Sequence, residues 1–125
     1  MKPGAAHPFL IVDAAMNDLM RPALYDAWHA IEAVSPRGGR MIANVVGPVC
    51  ESGDTFATAR AMDEVEAGDL ILFRTAGAYA AAMSNTYNSR PLPPEGAGQG
   101  RRLGAGARAH QMSGPIGLPD WLSRA

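Results

Sequence analysis

The sequence predicts a mainly β fold of α+β type with short helical inserts. Three observations lead there: short apolar runs, turn clusters of Gly, Pro and acidic residues between them, and only two brief stretches suited to helix. Residues 8–13, PFLIVD, form an apolar run of buried-strand character. In the following AAMNDLMRPALYDAWH, Asn17 or Asp18 suits the cap of a helical turn. Pro22 suits its first turn, where a missing N–H is harmless. Met20, Leu24 and Trp28 recur four apart and predict one apolar stripe. HAIEAV alternates with period two, the pattern of a strand with one wet face. PRGGR reads as a turn, MIANVVGPVC as a further strand, and EVEAGDLILFRT as an acidic turn before a buried strand. AGAYAAAMSNTYN is Ala-rich and helical in part, and SRPLPPE then stops regular structure. Helical inserts are therefore expected around residues 16–28 and 77–86.

A chain of 125 residues holds at most one domain. It buries a modest core, since about two thirds of its unfolded surface disappears on folding. The formal net charge of −1 gives no electrostatic reason to bind nucleic acid or an anionic membrane. No apolar run approaches the roughly 20 residues of a membrane-spanning helix, and MKPGAAHPF lacks the apolar centre of a secretory leader. One cysteine forms no internal disulfide, which leans toward a cytoplasmic setting, and one Cys with three scattered His gives no zinc spacing.

The character changes at residue 96. GAGQGRRLGAGARAHQMSG is rich in Gly, Ala and Arg without apolar periodicity, and globular character returns only at IGLPDWL. A message for this tail can spell a strand–turn–strand peptide in a neighbouring frame. The expected organisation is a β domain over 1–95, a disordered or frame-slipped tail over 96–115, and a short globular end over 116–125. An Arg/Gly nucleic-acid segment is the weaker alternative, because aromatic stacking residues are absent.

Three groups of residues carry chemistry. Cys50, in VVGPVCESGD, is followed by Glu51 and Asp54. Neighbouring carboxylates disfavour a thiolate, so Cys50 suits a proton donor better than a nucleophile. The alternative is a small hydrophobe that ends a strand. Arg21 and Tyr25 are four apart, so on a helical turn they point the same way and form a carboxylate clamp. The alternative is a surface arginine beside a half-buried tyrosine. Tyr79 follows Gly77, which lets backbone approach a ligand; its alternative is a core tyrosine.

In this order, FLIVDAAMNDLMRPALYDAWH, VVGPVCESGD, EAGDLILFRTAGAYAAAMSNTYNSRP and the closing LPDWL resemble the C-terminal part of diaminopimelate decarboxylases. These are pyridoxal-phosphate enzymes of the alanine-racemase-like fold that act in lysine biosynthesis. The resemblance covers residues 8–95 and resumes near 116. It implies a Greek-key-like β-barrel or sandwich C-terminal domain. It also implies a carboxy-lyase acting on an amino-acid substrate, with pyridoxal 5'-phosphate as cofactor and a site shared across a homodimer.

Carried onto this chain, the resemblance makes Cys50 the catalytic acid, which returns a proton after CO₂ leaves in the partner's site. Glu51 holds the distal amino group, Arg21 and Tyr25 bind the distal carboxylate, and Tyr79 touches both substrate and cofactor phosphate. Related ornithine-type enzymes carry aspartate after the cysteine, so Glu51 favours the diaminopimelate branch. Ala80 departs from the glycine usual after the tyrosine. A larger departure is the missing Schiff-base lysine, which the family carries with its phosphate loop on an N-terminal (β/α)₈ barrel. The one lysine here is Lys2. The expectation is a C-terminal portion, inactive alone and marginally stable. The alternatives are a subunit or remnant that completes a composite site with a separate barrel, and a non-catalytic interaction protein.

Overall fold

The computed structural model describes residues 1–94, together with the backbone of Gly96–Gln99 and Arg102–Ala105. In chain order the elements are β1 (Phe9–Ile11), α1 (Arg21–Tyr25), β2 (Ile31–Ala33), β3 (Arg40–Val46), β4 (Thr55–Asp63), β5 (Ile71–Phe73) and α2 (Ala80–Met83). A 3₁₀ turn at Tyr87–Ser89 follows, then β6 (Gly96–Gln99) and β7 (Arg102–Ala105). The architecture is mainly β with short helices, as the sequence leads one to expect. Strands β1, β3 and β4 form one sheet in that order, with β1 parallel to β3 and β3 antiparallel to β4. β2 and β5 form an antiparallel ribbon, and so do β6 and β7.

The last ribbon falls inside the stretch expected to be a disordered or frame-slipped tail. Its backbone pairs Gly96 with Ala105 and Gln99 with Arg102. The remainder of that tail, and the globular end expected over 116–125, lie outside the described residues.

Burial explains the strands. Along β3, Ala43 and Val45 are fully buried while Arg40 and Ile42 face solvent, the alternation of a sheet with one packed face. β1 differs from the expected fully buried strand. Only Leu10 is buried, while Phe9 and Ile11 point outward, because β1 is an edge strand covered on one side. The core gathers Leu10, Leu19, Ile31, Val45, Phe56 and Met62, with the Phe56 and Phe73 rings 4.8 Å apart.

β4, the longest strand, has no counterpart in the sequence reading. Its register slips twice against β3: Ala43 faces Arg60, Val45 faces Ala57 and Val46 faces Thr55. Three steps on β4 thus match two on β3, and then two match one. Ala59 takes a left-handed conformation (φ 47°) at the first slip, and its N–H donates to Asn44 Oδ1 at 2.9 Å. The second helical expectation holds only in part, since α2 is a single turn. The first is shorter than 16–28. Asp26 is left-handed (φ 53°), its N–H closes onto Pro22 O, and α1 ends after five residues. Leu24 and Trp28 consequently stay 56% and 69% exposed rather than forming a core stripe. Trp28 lies instead under the Arg60 guanidinium, 4.7 Å from the ring centroid, while Arg60 donates to His29 O at 2.6 Å. Burial lowers the Arg60 pKa.

Among the described residues no helix is long and apolar enough to cross a membrane.

Candidate functional site

α1 is too short to persist on its own propensity. It is held by the buried Pro22 in its first turn and by the turn that precedes it. With the helix in place, Arg21 and Tyr25 share a face, as their spacing predicts. They line one cavity of about 280 Å³ together with Tyr79 and Met83. Tyr79 enters from the start of α2, 58 positions after Arg21 in sequence. The Arg21 guanidinium carbon lies 5.3 Å from its ring centroid, a cation–π contact that orients both groups. No atom would crowd a Cβ at Gly77, so space is open on the approach to Tyr79. Both tyrosines are more than half exposed, which removes the core-packing alternative for Tyr79. One permanent cation and two phenols around an open cavity form a recognition site for an anionic group.

Cys50 and Glu51 do not line this cavity. They occupy the turn between β3 and β4, and Cys50 is exposed. That overturns the alternative of a small hydrophobe ending a strand. In this cysteine–carboxylate cluster the buried member is Asp54, only 3% exposed. Its carboxylate accepts the Val49 N–H at 2.7 Å and the Met16 N–H at 2.6 Å. Gly47 packs so close to both Asp54 oxygens that a Cβ there would collide with them. The turn closes on itself through Asp54 N–H to Glu51 O and Gly47 N–H to Asp54 O.

Glu51 folds over the turn. Its Oε1 accepts the Gly53 N–H at 3.2 Å and the Ser52 hydroxyl at 3.3 Å, and its Oε2 accepts the Tyr87 hydroxyl at 3.4 Å. The Gly53 N–H, then the Ser52 hydroxyl, hold the Glu51 carboxyl below the ordinary carboxylate range, so it is ionised at neutral pH. An exposed, ionised carboxylate beside an exposed thiol suits an ammonium group and a transferable proton.

The sequence does not reveal the organising role of three residues: Asp54, Asn17 and Tyr87. By sequence Asn17 suits at most the cap of a helical turn. It is fully buried, and its Nδ2 reaches Asn85 O, Asn85 Oδ1 and Tyr87 O at 3.1, 3.2 and 2.7 Å. Asn85 N–H returns a bond to Asn17 O. The turn at 15–18, closed by the Ala15 N–H to Asp18 Oδ2, therefore anchors the segment that delivers Tyr87 to Glu51. A polar pair directly before two apolar residues and Arg-Pro is the only sequence signal for this role.

The family model of the pyridoxal-dependent decarboxylase C-terminal sheet domain matches residues 1–77. The chain belongs to the pyridoxal-dependent decarboxylase family. It is 56% identical over 87 residues to the diaminopimelate decarboxylase of Zymomonas mobilis, covering 70% of this chain and 21% of that protein. Among solved structures it is similar to diaminopimelate decarboxylase from M. jannaschi, with a TM-score of 0.83, 32% identity and coverage of 88% of this chain and 25% of the other. It is likewise similar to the Helicobacter pylori diaminopimelate decarboxylase complexed with L-lysine, at TM-score 0.76 and 42% identity, covering 85% and 26%. The chain thus spans about a fifth of the length of the curated relative, and its matching part is the C-terminal sheet domain.

The family's cofactor fits the described residues at one end only. The Arg21–Tyr25–Tyr79 cavity suits an anionic group. The amine that would bond the cofactor is not supplied there. Lys2, the one lysine of the chain, is exposed, pairs by its backbone with Phe9 and lies outside that cavity.

Proposed function

We propose that this chain supplies the C-terminal portion of a diaminopimelate decarboxylase, which converts meso-diaminopimelate to L-lysine and CO₂. The observation that carries the reading is the convergence of Arg21, Tyr25 and Tyr79 on one open cavity, the geometry needed to grip a carboxylate at the far end of a substrate. The L-lysine complex of the Helicobacter pylori relative gives the same substrate class.

When bound, pyridoxal phosphate supplies the electron sink for loss of CO₂, and its lysine anchor comes from a barrel portion outside this chain. The residues here bind, orient and move a proton. Arg21 and the Tyr25 hydroxyl hold the distal carboxylate, and Tyr79 lies between that group and the cofactor phosphate. Glu51, ionised at neutral pH, holds the distal ammonium. Cys50 returns the proton from Sγ to the carbon that lost CO₂. The separation of Cys50 and Glu51 from the Arg21 cavity supports a shared arrangement, in which each chain of a homodimer keeps the clamp and lends its acid to the partner's site. A cytoplasmic setting belongs to the same reading.

The test is a graft of residues 1–94 in place of the matching segment of the Zymomonas mobilis enzyme, assayed for lysine from meso-diaminopimelate. The graft is expected to be active and to lose about 10²-fold or more on Cys50→Ala. A dimeric, cofactor-loaded graft with no activity overturns the reading. A fully active Cys50→Ala graft removes Cys50 from the role of acid.

A further inference from the structure

The Asp54 carboxylate touches two segments that are distant in sequence and belong to different halves of the candidate site. One is Val49, the residue immediately before Cys50; the other is Met16, in the turn that leads into Arg21. Both bonds are short, the acid is 3% exposed, and Gly47 leaves space for it by lacking a side chain. The residue after Met16, Asn17, fixes Asn85 and Tyr87, and Tyr87 reaches Glu51.

We infer that Asp54 is a positioning residue: it locks the Cys50 turn to the base of the helix that carries Arg21 and Tyr25. The inference rests on the decarboxylase reading for its catalytic meaning and on geometry alone for the coupling. A carboxylate suits this place because it accepts from two N–H groups at once and has no hydrogen of its own to set against them. An amide of the same shape turns one of its two positions into a donor facing an N–H. The lock consequently ties the clamp that a chain keeps to the acid that it lends.

The test uses the full chain and its one cysteine. A nitroxide on Cys50 broadens nearby backbone amides, and the broadening at Arg21 and Tyr25 reports the separation of the two halves. Two variants are compared at a temperature where circular dichroism shows both folded. Asp54→Asn keeps the shape but removes one acceptor, and Gly47→Ala displaces the carboxylate while leaving its charge. The expected result is loss of the single broadening profile at Arg21 and Tyr25 in both variants. An unchanged profile with only a lower melting temperature overturns the inference and leaves Asp54 a stabilising residue. If Asp54→Asn fails to fold, Gly47→Ala decides the matter alone.

In the active graft, either variant is expected to lower kcat by about 10²-fold, the scale of an ångström-sized misplacement, with a smaller effect on KM. Full kcat in both variants overturns the catalytic part of the inference. A graft that is inactive with Asp54 intact refutes the decarboxylase reading instead, and the broadening experiment still judges the lock.

Discussion

Replacing Asn17 with alanine removes the anchor between the 15–18 turn and the Tyr87 segment. Nδ2 lies within bonding distance of three acceptors but has only two hydrogens, so two full bonds are the most that it makes. At about 1 kcal/mol net per bond, the loss is about 2 kcal/mol. The orphaned Tyr87 carbonyl belongs to an exposed residue and can rehydrate, which keeps the figure from rising further. Asn17 Oδ1 has no hydrogen-bond partner among the described residues, so deleting it does not add to the loss.

Urea unfolding followed by circular dichroism measures the change. With a slope of about 2 kcal/mol per M, the midpoint is expected to fall by about 1 M. Asn17→Asp sharpens the test. It keeps the shape, yet turns a donor pair into acceptors aimed at two carbonyls and buries a charge, so its loss should exceed that of alanine. An alanine variant within about 0.5 kcal/mol of wild type, the range of ordinary surface changes, refutes the argument. So does an aspartate variant no worse than alanine.

Two further outcomes are expected. Met62→Ala, at a position only 1% exposed, should cost about 2–5 kcal/mol, while Ile42→Ala on the open face of the same sheet should cost well under half of that; equal midpoints in urea for the two variants would contradict the core assignment. Glu51 should give an acid-range slope to stability. Its folded pKa lies below the unfolded value of about 4.3, so its contribution is complete above that value and is lost as pH falls through the lower folded one. Glu51→Gln should flatten the melting temperature against pH in that window, and an unaltered slope would show that the Gly53 and Ser52 bonds do not favour the ionised form.

The sequence carried the local part of this architecture well. β3 and β2 announce themselves by β-branched residues or by alternation, and the four-residue spacing of Arg21 and Tyr25 is enough to put them on one face. β4 was silent for a physical reason. TFATARAMD is poor in β-branched residues, and two slips in register break its alternation, so neither propensity nor period marks it. The stripe of Met20, Leu24 and Trp28 misled because spacing cannot foresee a helix that stops at a left-handed aspartate. Within the site, adjacency along the chain revealed the carboxylates around Cys50 but not which of them is buried. Asp54 is defined by Met16, 38 positions earlier, and Tyr79 meets Arg21 across 58 positions. Contacts of that range leave no periodic trace in one sequence; the resemblance to a family grouped Tyr79 with Arg21 and Tyr25 but left the Asp54–Met16 contact unseen.

The first slip on β4 has a consequence in counting. On β3 the packed side chains are odd-numbered: Met41, Ala43 and Val45. On β4 their partners are Met62, Arg60 and Ala57, so the parity of the packed face switches from odd to even at Thr58 and Ala59. One surplus residue therefore turns a guanidinium to the side that would otherwise receive a methyl group. It puts Arg60 beside Trp28 and the His29 carbonyl. If alternation ran on evenly from Ala57 with no slip, Ala59 would take the packed face and Arg60 the opposite one, removing the lid from Trp28 without altering either side chain. The arginine–tryptophan stack thus depends on the slip in register as much as on the identity of the two residues.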